Sequence, residues 1–226
     1  MDNGLSGFIS RLPLKPRPLL SKQEIKPGVY LLRFERNHDF LPGQVVGITT
    51  NQSIAPRLYS ISSGANEDWI EVLFNVKEDG ILTPLLAQLE IGDLVEVSRP
   101  FGAFLGDEKP AWWIAAGTGV APYRSMLRSG LGNNKKLIHG GRTADSFYFD
   151  TEMMQAFGQD YIRCCSQESG KGLYHGRLTN WLRDHSKIPE DHMFYLCGSA
   201  EMVVEVRDIL ISKGVAIDRV MSEIYF

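Results

Sequence analysis

The segment 112–128 constrains this 226-residue chain most. An apolar run, Trp112-Trp113-Ile114-Ala115-Ala116, breaks at Gly117-Thr118-Gly119-Val120-Ala121-Pro122. Beyond the break, Tyr123, Met126 and Leu127 recur at helical spacing. Strand, glycine turn and helix in that order hold out a helix N-terminus to a phosphate. Glycine lets the backbone come close, and the N–H groups of the first turn have no partners inside the helix. Pro122 stands where a Gly-x-Gly-x-x-Gly turn has its third glycine, so the turn departs from the commonest dinucleotide pattern. Taken alone, it is as compatible with a plain strand–helix connection as with a phosphate site.

Upstream, to about Phe104, the signals are those of strands and turns. Short β-type runs cover 28–34, 43–48, 58–61, 69–77 and 94–97. The fourth alternates strictly, with Ile70, Val72, Phe74 and Val76 on one face. Strands spaced about ten residues apart predict a small antiparallel barrel. One helix interrupts them over 85–89. Thr83 is its expected N-cap, Pro84 its first residue, and Gly92 lies past its end. That N-terminus, just after Gly80, is a second candidate phosphate site or else a plain helix capping the barrel.

Downstream, strands alternate with helices. Runs at 112–116, 136–139, 161–165 and 193–197 lead to helices from Pro122 and over 151–157, 178–185 and 201–213, with a terminal strand at 219–226. Such alternation predicts a parallel sheet covered on both faces. Gly117, Gly140, Ser166 and Gly198 follow the strands and are expected to converge where ligands of such sheets sit. The fold class is therefore an antiparallel β-barrel domain (1–106) followed by an α/β parallel-sheet nucleotide-binding domain (107–226), the boundary falling in the polar segment 106–110.

Charge narrows the partners. The net charge is −3, but residues 1–60 hold eight Lys/Arg against four acids, while the remainder holds 16 against 23. A basic first quarter on an acidic chain is a candidate docking face for an acidic partner, or chance variation. No basic run is interleaved with aromatics, which argues against nucleic acid. No apolar run nears the roughly 18 residues of a membrane span, and Pro13, Pro16 and Pro18 break any leader pattern, so a cytoplasmic protein is expected. Cys164 and Cys165 are adjacent and Cys197 is distant, which gives neither a disulfide framework nor a zinc or iron–sulfur site. The five histidines show no metal spacing, and no metal site is predicted.

The residues then match a known family. Arg57-Leu58-Tyr59-Ser60 resembles the Arg-x-Tyr-Ser flavin motif of the ferredoxin–NADP reductase superfamily. Gly80-Ile81-Leu82-Thr83 resembles its flavin-diphosphate loop, and 117–122 its nicotinamide-nucleotide loop, proline included. Leu196-Cys197-Gly198 is similar to its Cys-Gly motif, and the ending Glu223-Ile224-Tyr225-Phe226 to members whose final aromatic covers the flavin. The motifs stand in the family's order over nearly the whole chain.

The resemblance implies FAD as cofactor and NADP(H) or NAD(H) as cosubstrate. It assigns Arg57, Leu58, Tyr59, Ser60, Asn75, Val76, Gly80, Leu82, Thr83, Tyr225 and Phe226 to the flavin. Arg57 offers a fixed cation for the diphosphate, and Tyr59 a ring for the isoalloxazine. It assigns Gly117, Thr118, Gly119, Pro122, Arg142, Ser166, Gln167, Arg177, Cys197 and Gly198 to the nicotinamide nucleotide, and Ser60, Cys197 and Glu223 to catalysis. Gln167 stands where many NADP-using members have the arginine of Ser-Arg-Glu, which puts strict NADPH preference in doubt. The activity implied is hydride exchange between NAD(P)H and FAD, then single-electron transfer to or from ferredoxin or flavodoxin. The same architecture also serves as a flavin or ferric reductase, or as the electron-transfer flavin subunit of a larger complex.

Overall fold

The computed structural model describes residues 9, 11–51 and 53–225. The chain divides into two compact units, Met1–Leu105 and Gly106–Phe226.

Unit 1 contains β1 (Leu14–Lys26), β2 (Val29–Glu35), β3 (Val45–Thr49), β4 (Arg57–Ser60), β5 (Trp69–Asn75), helix α1 (Leu82–Gln88) and β6 (Leu94–Ser98). The strands lie in the order β4-β3-β6-β1-β2-β5, every neighbour antiparallel. The ends of the row meet through the Ile61↔Val72 bridge and the Ser62 N–H, which donates to the Glu71 carbonyl at 2.7 Å. The row is thereby rolled into the expected antiparallel barrel. Its interior is filled by the alternate residues of each strand, among them Leu19, Leu32, Phe34, Val46, Ile48, Tyr59, Ile61, Val72 and Phe74.

The longest strand, β1, has no counterpart in the sequence reading. Pro16 and Pro18 are tolerated because β1 changes partner halfway along. Residues 14–18 pair with β6, and pairing with β2 starts only at Leu19↔Phe34. The Leu19 N–H points to β6, donating to the Asp93 carbonyl at 2.9 Å. Strand alternation therefore aims the prolines' missing donors at the edge that β2 has not yet reached. Helix α1 also differs from its sequence reading. Its N-cap is Ile81, not Thr83, and Thr83 lies inside the helix. The Thr83 hydroxyl instead accepts the Lys77 N–H at 2.9 Å, tying the loop back on itself. Leu82 and Leu86, one turn apart, are the helix residues that enter the barrel core.

Unit 2 is a parallel sheet in the order β10-β9-β8-β7-β11-β12. Its strands are β7 (Ala111–Ala116), β8 (Lys135–Gly141), β9 (Tyr161–Cys165), β10 (Leu173–His175), β11 (Met193–Ser199) and β12 (Val220–Tyr225). Its α-helices are α2 (Ala121–Met126), α3 (Asp150–Phe157), α4 (Leu178–Asp184) and α5 (Ala200–Ser212). β10 has no counterpart in the sequence reading, since Leu173-Tyr174-His175 is neither an apolar run nor an alternating one. The chain fills the sheet from β7 outward to β10, then returns across β7 to place β11 and β12 on the other side. The switch point lies between β7 and β11, the place where open α/β sheets take ligands. α5 is held to the sheet by Met202, Val203, Val206, Ile209 and Leu210, all buried at helical spacing. No helix among the described residues is long and apolar enough to cross a membrane.

The two-partner account of β1 predicts unequal sensitivities. Leu19→Ala, inside the barrel, is expected to cost about 2–5 kcal/mol in urea unfolding. Pro16→Ala and Pro18→Ala, exposed on the half-paired stretch, should each stay within about 1 kcal/mol of the parent.

Candidate functional site

In unit 1, β4 is laddered to β3 along its whole length, from Val45↔Ser60 to Ile48↔Arg57. Its other edge has no ladder to β5 among the described residues. Among the described residues their backbones pair only beyond the end of β4, at Ile61↔Val72, although the Tyr59 and Phe74 rings meet between the two strands. The barrel wall is therefore split, with Arg57–Ser60 on one lip and the end of β5, Asn75 and the following Val76, on the other. The loop from Lys77 to Thr83 continues from the second lip. Its turn is closed by the Gly80 N–H, which donates to the Lys77 carbonyl at 2.8 Å. A Cβ on Gly80 would stand 3.1 Å from that carbonyl, so the tight turn favours glycine.

The split thus gathers the residues predicted for the flavin from the barrel. Arg57 is exposed, Leu58 half-buried, and Ser60 buried. Tyr59 is 9% exposed, its ring edge-on to Phe74 at 6.2 Å, so it lends the split only a margin of its face. Burial pushes its hydroxyl well above the usual range, so the group stays a neutral donor. Leu82 faces the core. At the closed end of the split, Ser62, Ser63 and Glu71 are all fully buried and bonded to one another.

In unit 2, the loop after β7 is a 3-10 turn, Gly117–Val120, pressed onto the end of β11. Gly117 takes a left-handed conformation, φ 54°. A Cβ on Gly119 would lie 2.2 Å from the Cys197 carbonyl oxygen, a distance no side chain survives. Two glycines are thus required, one by backbone angle and one by contact. Pro122 is buried in the first turn of α2. His139, on β8, holds the loop: its Nε2 lies 3.1 Å from the Gly117 carbonyl, and its Nδ1 lies 3.2 Å from the Tyr161 hydroxyl. The Gly117 carbonyl can only accept, so Nε2 carries the proton and Nδ1 accepts from Tyr161. Tyr123 adds a second tie, its hydroxyl donating to the Tyr195 carbonyl at 2.7 Å.

The remaining predicted residues follow along the carboxyl edge of the sheet. The Ser166 N–H donates to the Gly141 carbonyl at 3.0 Å and the Gln167 N–H to the Arg142 carbonyl at 2.9 Å, zipping together the loops after β8 and β9. Arg142 and Gln167 expose their side chains there. Arg177, at the start of α4, is shared between Glu201 at 3.1 Å and Glu205 at 3.6 Å. On the other side of the switch point, Cys197 of β11 pairs with Glu223 of β12, and its Sγ lies 3.9 Å from the carboxylate. Burial, helped by Glu223, holds that thiol far above its ordinary pKa, so it is a neutral donor and not a thiolate. Tyr225 ends β12, half-buried beside Ser199, and Phe226 lies outside the described residues.

Sequence reasoning missed His139, Tyr161, Ser62, Ser63 and Glu71. Each acts through a partner eight or more residues away, so no local pattern marks it. For His139 the one available signal is a histidine inside an apolar strand directly before Gly140-Gly141.

A barrel split beside an Arg-x-Tyr-Ser strand, followed by a parallel sheet with a glycine loop at its switch point, defines a flavin- and nicotinamide-nucleotide-binding oxidoreductase. Residues 16–105 match the oxidoreductase FAD-binding domain and residues 113–208 the oxidoreductase NAD-binding domain. The chain therefore carries an oxidoreductase FAD-binding domain followed by an oxidoreductase NAD-binding domain, the pair that its resemblance to the ferredoxin–NADP reductase superfamily implies. It is 28% identical, over 78% of its length, to the toluate 1,2-dioxygenase electron transfer component of Pseudomonas putida, of which it covers 56%. It is 27% identical, over 90% of its length, to the propane 2-monooxygenase reductase component of Mycolicibacterium goodii, of which it covers 62%. The chain thus spans somewhat over half the length of these relatives. Among solved structures, it shares its fold with a ferredoxin NADP+ reductase from Neisseria gonorrhoeae with bound FAD and NADP. The TM-score is 0.84 at 20% identity, covering 94% of this chain and 99% of that one.

His139 makes the nucleotide loop acid-sensitive. Burial lowers its pKa from 6.5 to about 4. Between those values the unfolded chain binds the extra proton, so stability is complete above pH 6.5 and falls as the pH drops towards 4. The full difference is about 3 kcal/mol. Urea unfolding of His139→Asn should show that much less loss than the parent between pH 7 and pH 4; equal losses would show that His139 does not titrate in this way.

Proposed function

We propose that this protein passes a hydride between NAD(P)H and bound FAD, and single electrons to or from ferredoxin or flavodoxin. The observation that carries the reading is the split in the barrel wall at Arg57–Ser60. It offers a slot between two strands, an apolar margin from Leu58 and Tyr59, a cation at Arg57, and the start of α1 beyond Gly80. That set fits a flat conjugated ring tethered to a diphosphate. FAD, when bound, supplies the exchange between two-electron and one-electron transfer. Arg57 would hold the diphosphate, and Ser60 would offer its hydroxyl to the ring. Gly117, Thr118 and Gly119 would admit the phosphates of the nicotinamide nucleotide, on a loop that the bare Gly119 lets pack directly against Cys197 and Gly198 of β11. Cys197 and Glu223 supply a neutral thiol and a carboxylate at the nicotinamide end of that site. The names of the relatives, an electron transfer component and a reductase component, support delivery of electrons to a separate protein. The basic first quarter suits an acidic carrier.

The test is reconstitution with FAD, followed by NADPH or NADH oxidation with ferredoxin, free flavin or a ferric chelate as acceptor. A yellow protein with the highest kcat/KM for ferredoxin supports the reading. A protein that takes up no FAD overturns it, and preference for free flavin or ferric chelate assigns it to small-molecule reduction. Arg57→Ala should release FAD more readily. Ser60→Ala should slow flavin reduction in stopped flow while leaving the nucleotide Kd nearly unchanged, the mark of an interaction made mainly in the transition state.

Coenzyme choice is proposed to be modest NADPH preference. Arg142 makes no ion pair among the described residues, but Arg177 is shared with two glutamates and Gln167 is neutral. Gln167→Arg adds one charge-assisted hydrogen bond to a 2′-phosphate and should raise the NADPH/NADH ratio of kcat/KM by about tenfold. An unchanged ratio would place Gln167 outside that pocket.

A further inference from the structure

We propose that Glu71 is the positioning residue of the flavin strand: its buried carboxylate, paired with Arg33, fixes how far the barrel wall opens between β4 and β5. The inference rests on the placement of the flavin in that split.

Glu71 sits where the split ends. Its backbone carbonyl accepts the Ser62 N–H at 2.7 Å and the Ser62 hydroxyl at 3.2 Å. Its backbone N–H donates to the Ser63 hydroxyl at 3.0 Å. Its carboxylate accepts the Ser62 hydroxyl through Oε1 at 3.1 Å and the Arg33 Nε through Oε2 at 2.6 Å. Main chain and side chain of one residue thus hold the two serines that follow Ser60 and Ile61. Glu71 itself is anchored from behind, because Arg33 is its direct partner across the β2–β5 ladder and lies over the Trp69 ring at 4.9 Å. Any slackening at this point swings the lip that carries Arg57–Ser60.

Stability alone does not account for a charge here. Glu71 is fully buried, and desolvating a carboxylate costs several kcal/mol that its partners only offset. An apolar pair at Arg33 and Glu71 would close the barrel as well or better, since replacing a buried ion pair by packed apolar groups is commonly neutral or stabilising. What the ion pair adds is orientation. Arg33 holds one carboxylate oxygen, so the other points at Ser62 and fixes that hydroxyl. The latch acts on position and not on the flavin itself.

The experiment compares the parent with Glu71→Leu, Glu71→Gln and Ser62→Ala. It measures FAD Kd on the apoprotein by fluorescence, visible circular dichroism of the bound flavin, and apoprotein melting. Glu71→Leu should raise the FAD Kd by about tenfold or more and change the flavin dichroism, while the Kd for nicotinamide nucleotide in unit 2 stays put. Glu71→Gln keeps the shape and an acceptor for Arg33, and should shift both flavin readouts less and in the same direction. Ser62→Ala, a mild change that spares the ion pair, should also raise the FAD Kd and serves if Glu71→Leu does not fold. Parent-like FAD Kd and dichroism in folded Ser62→Ala and Glu71→Gln would overturn the proposal. So would a lowered apoprotein melting temperature with unchanged FAD affinity. A parent protein that takes up no FAD removes the flavin from the split, and this inference with it.

Discussion

A strand edge is a row of peptide groups that must be paired or put to use, and both units are shaped by where that requirement is relaxed. In unit 1, six strands roll up and close through one bridge and its flanking hydrogen bonds, with no backbone ladder between β4 and β5 among the described residues. In unit 2, the chain changes direction across β7, so the loops after β7 and β11 diverge at the carboxyl edge. The proposed sites for the two nucleotide cofactors are these two openings. Their positions follow from topology, and side chains decide only how each opening is lined.

The lining is held by neutral buried groups more than by charge. Tyr123 ties β7 to β11 through the Ile114 and Tyr195 carbonyls, and Tyr161 and His139 tie the glycine loop to the sheet. All are kept uncharged by burial, which suits a site that must receive an anionic coenzyme without competing for its counter-charges. Cys197 follows the same rule, since its thiol is fully buried and a thiolate would stand 3.9 Å from the Glu223 carboxylate.

Much of this was legible in the sequence because it is local. Strict alternation at Ile70, Val72, Phe74 and Val76 gave the face of β5 that enters the barrel, and the strand–helix rhythm after 111 gave the parallel sheet. The glycines at 117 and 119 announced a close approach, although only the structure shows that the Cys197 carbonyl is what approaches. The failures share one cause. β1, with Pro16 and Pro18 in it, does not read as a strand because the sequence does not show that it exchanges one neighbour for another between them and Leu19. Thr83 read as a cap because its true partner, the Lys77 N–H, lies six residues back and not inside the helix. His139, Ser62 and Glu71 carried no pattern, since their roles exist only once distant strands have met.

The adenosine end of the coenzyme site illustrates how charge is rationed. A 2′-phosphate arriving near Arg177 does not find an isolated cation. It finds one already shared by Glu201 and Glu205, the second of which also holds Arg183 at 2.6 Å. Binding there would exchange carboxylate partners for phosphate oxygens, and the net gain is the difference between two similar ion pairs at an exposed surface. Such differences are small, on the order of 1 kcal/mol. The glutamates also remain nearby as like charges once displaced. Arg142 is the better placed cation, since its only backbone commitments, accepting from Gln167 and Cys165, leave the guanidinium exposed and without an ion pair among the described residues. On the proposed assignment, discrimination for a 2′-phosphate would therefore lean on Arg142, which stands where the loops after β8 and β9 are zipped together.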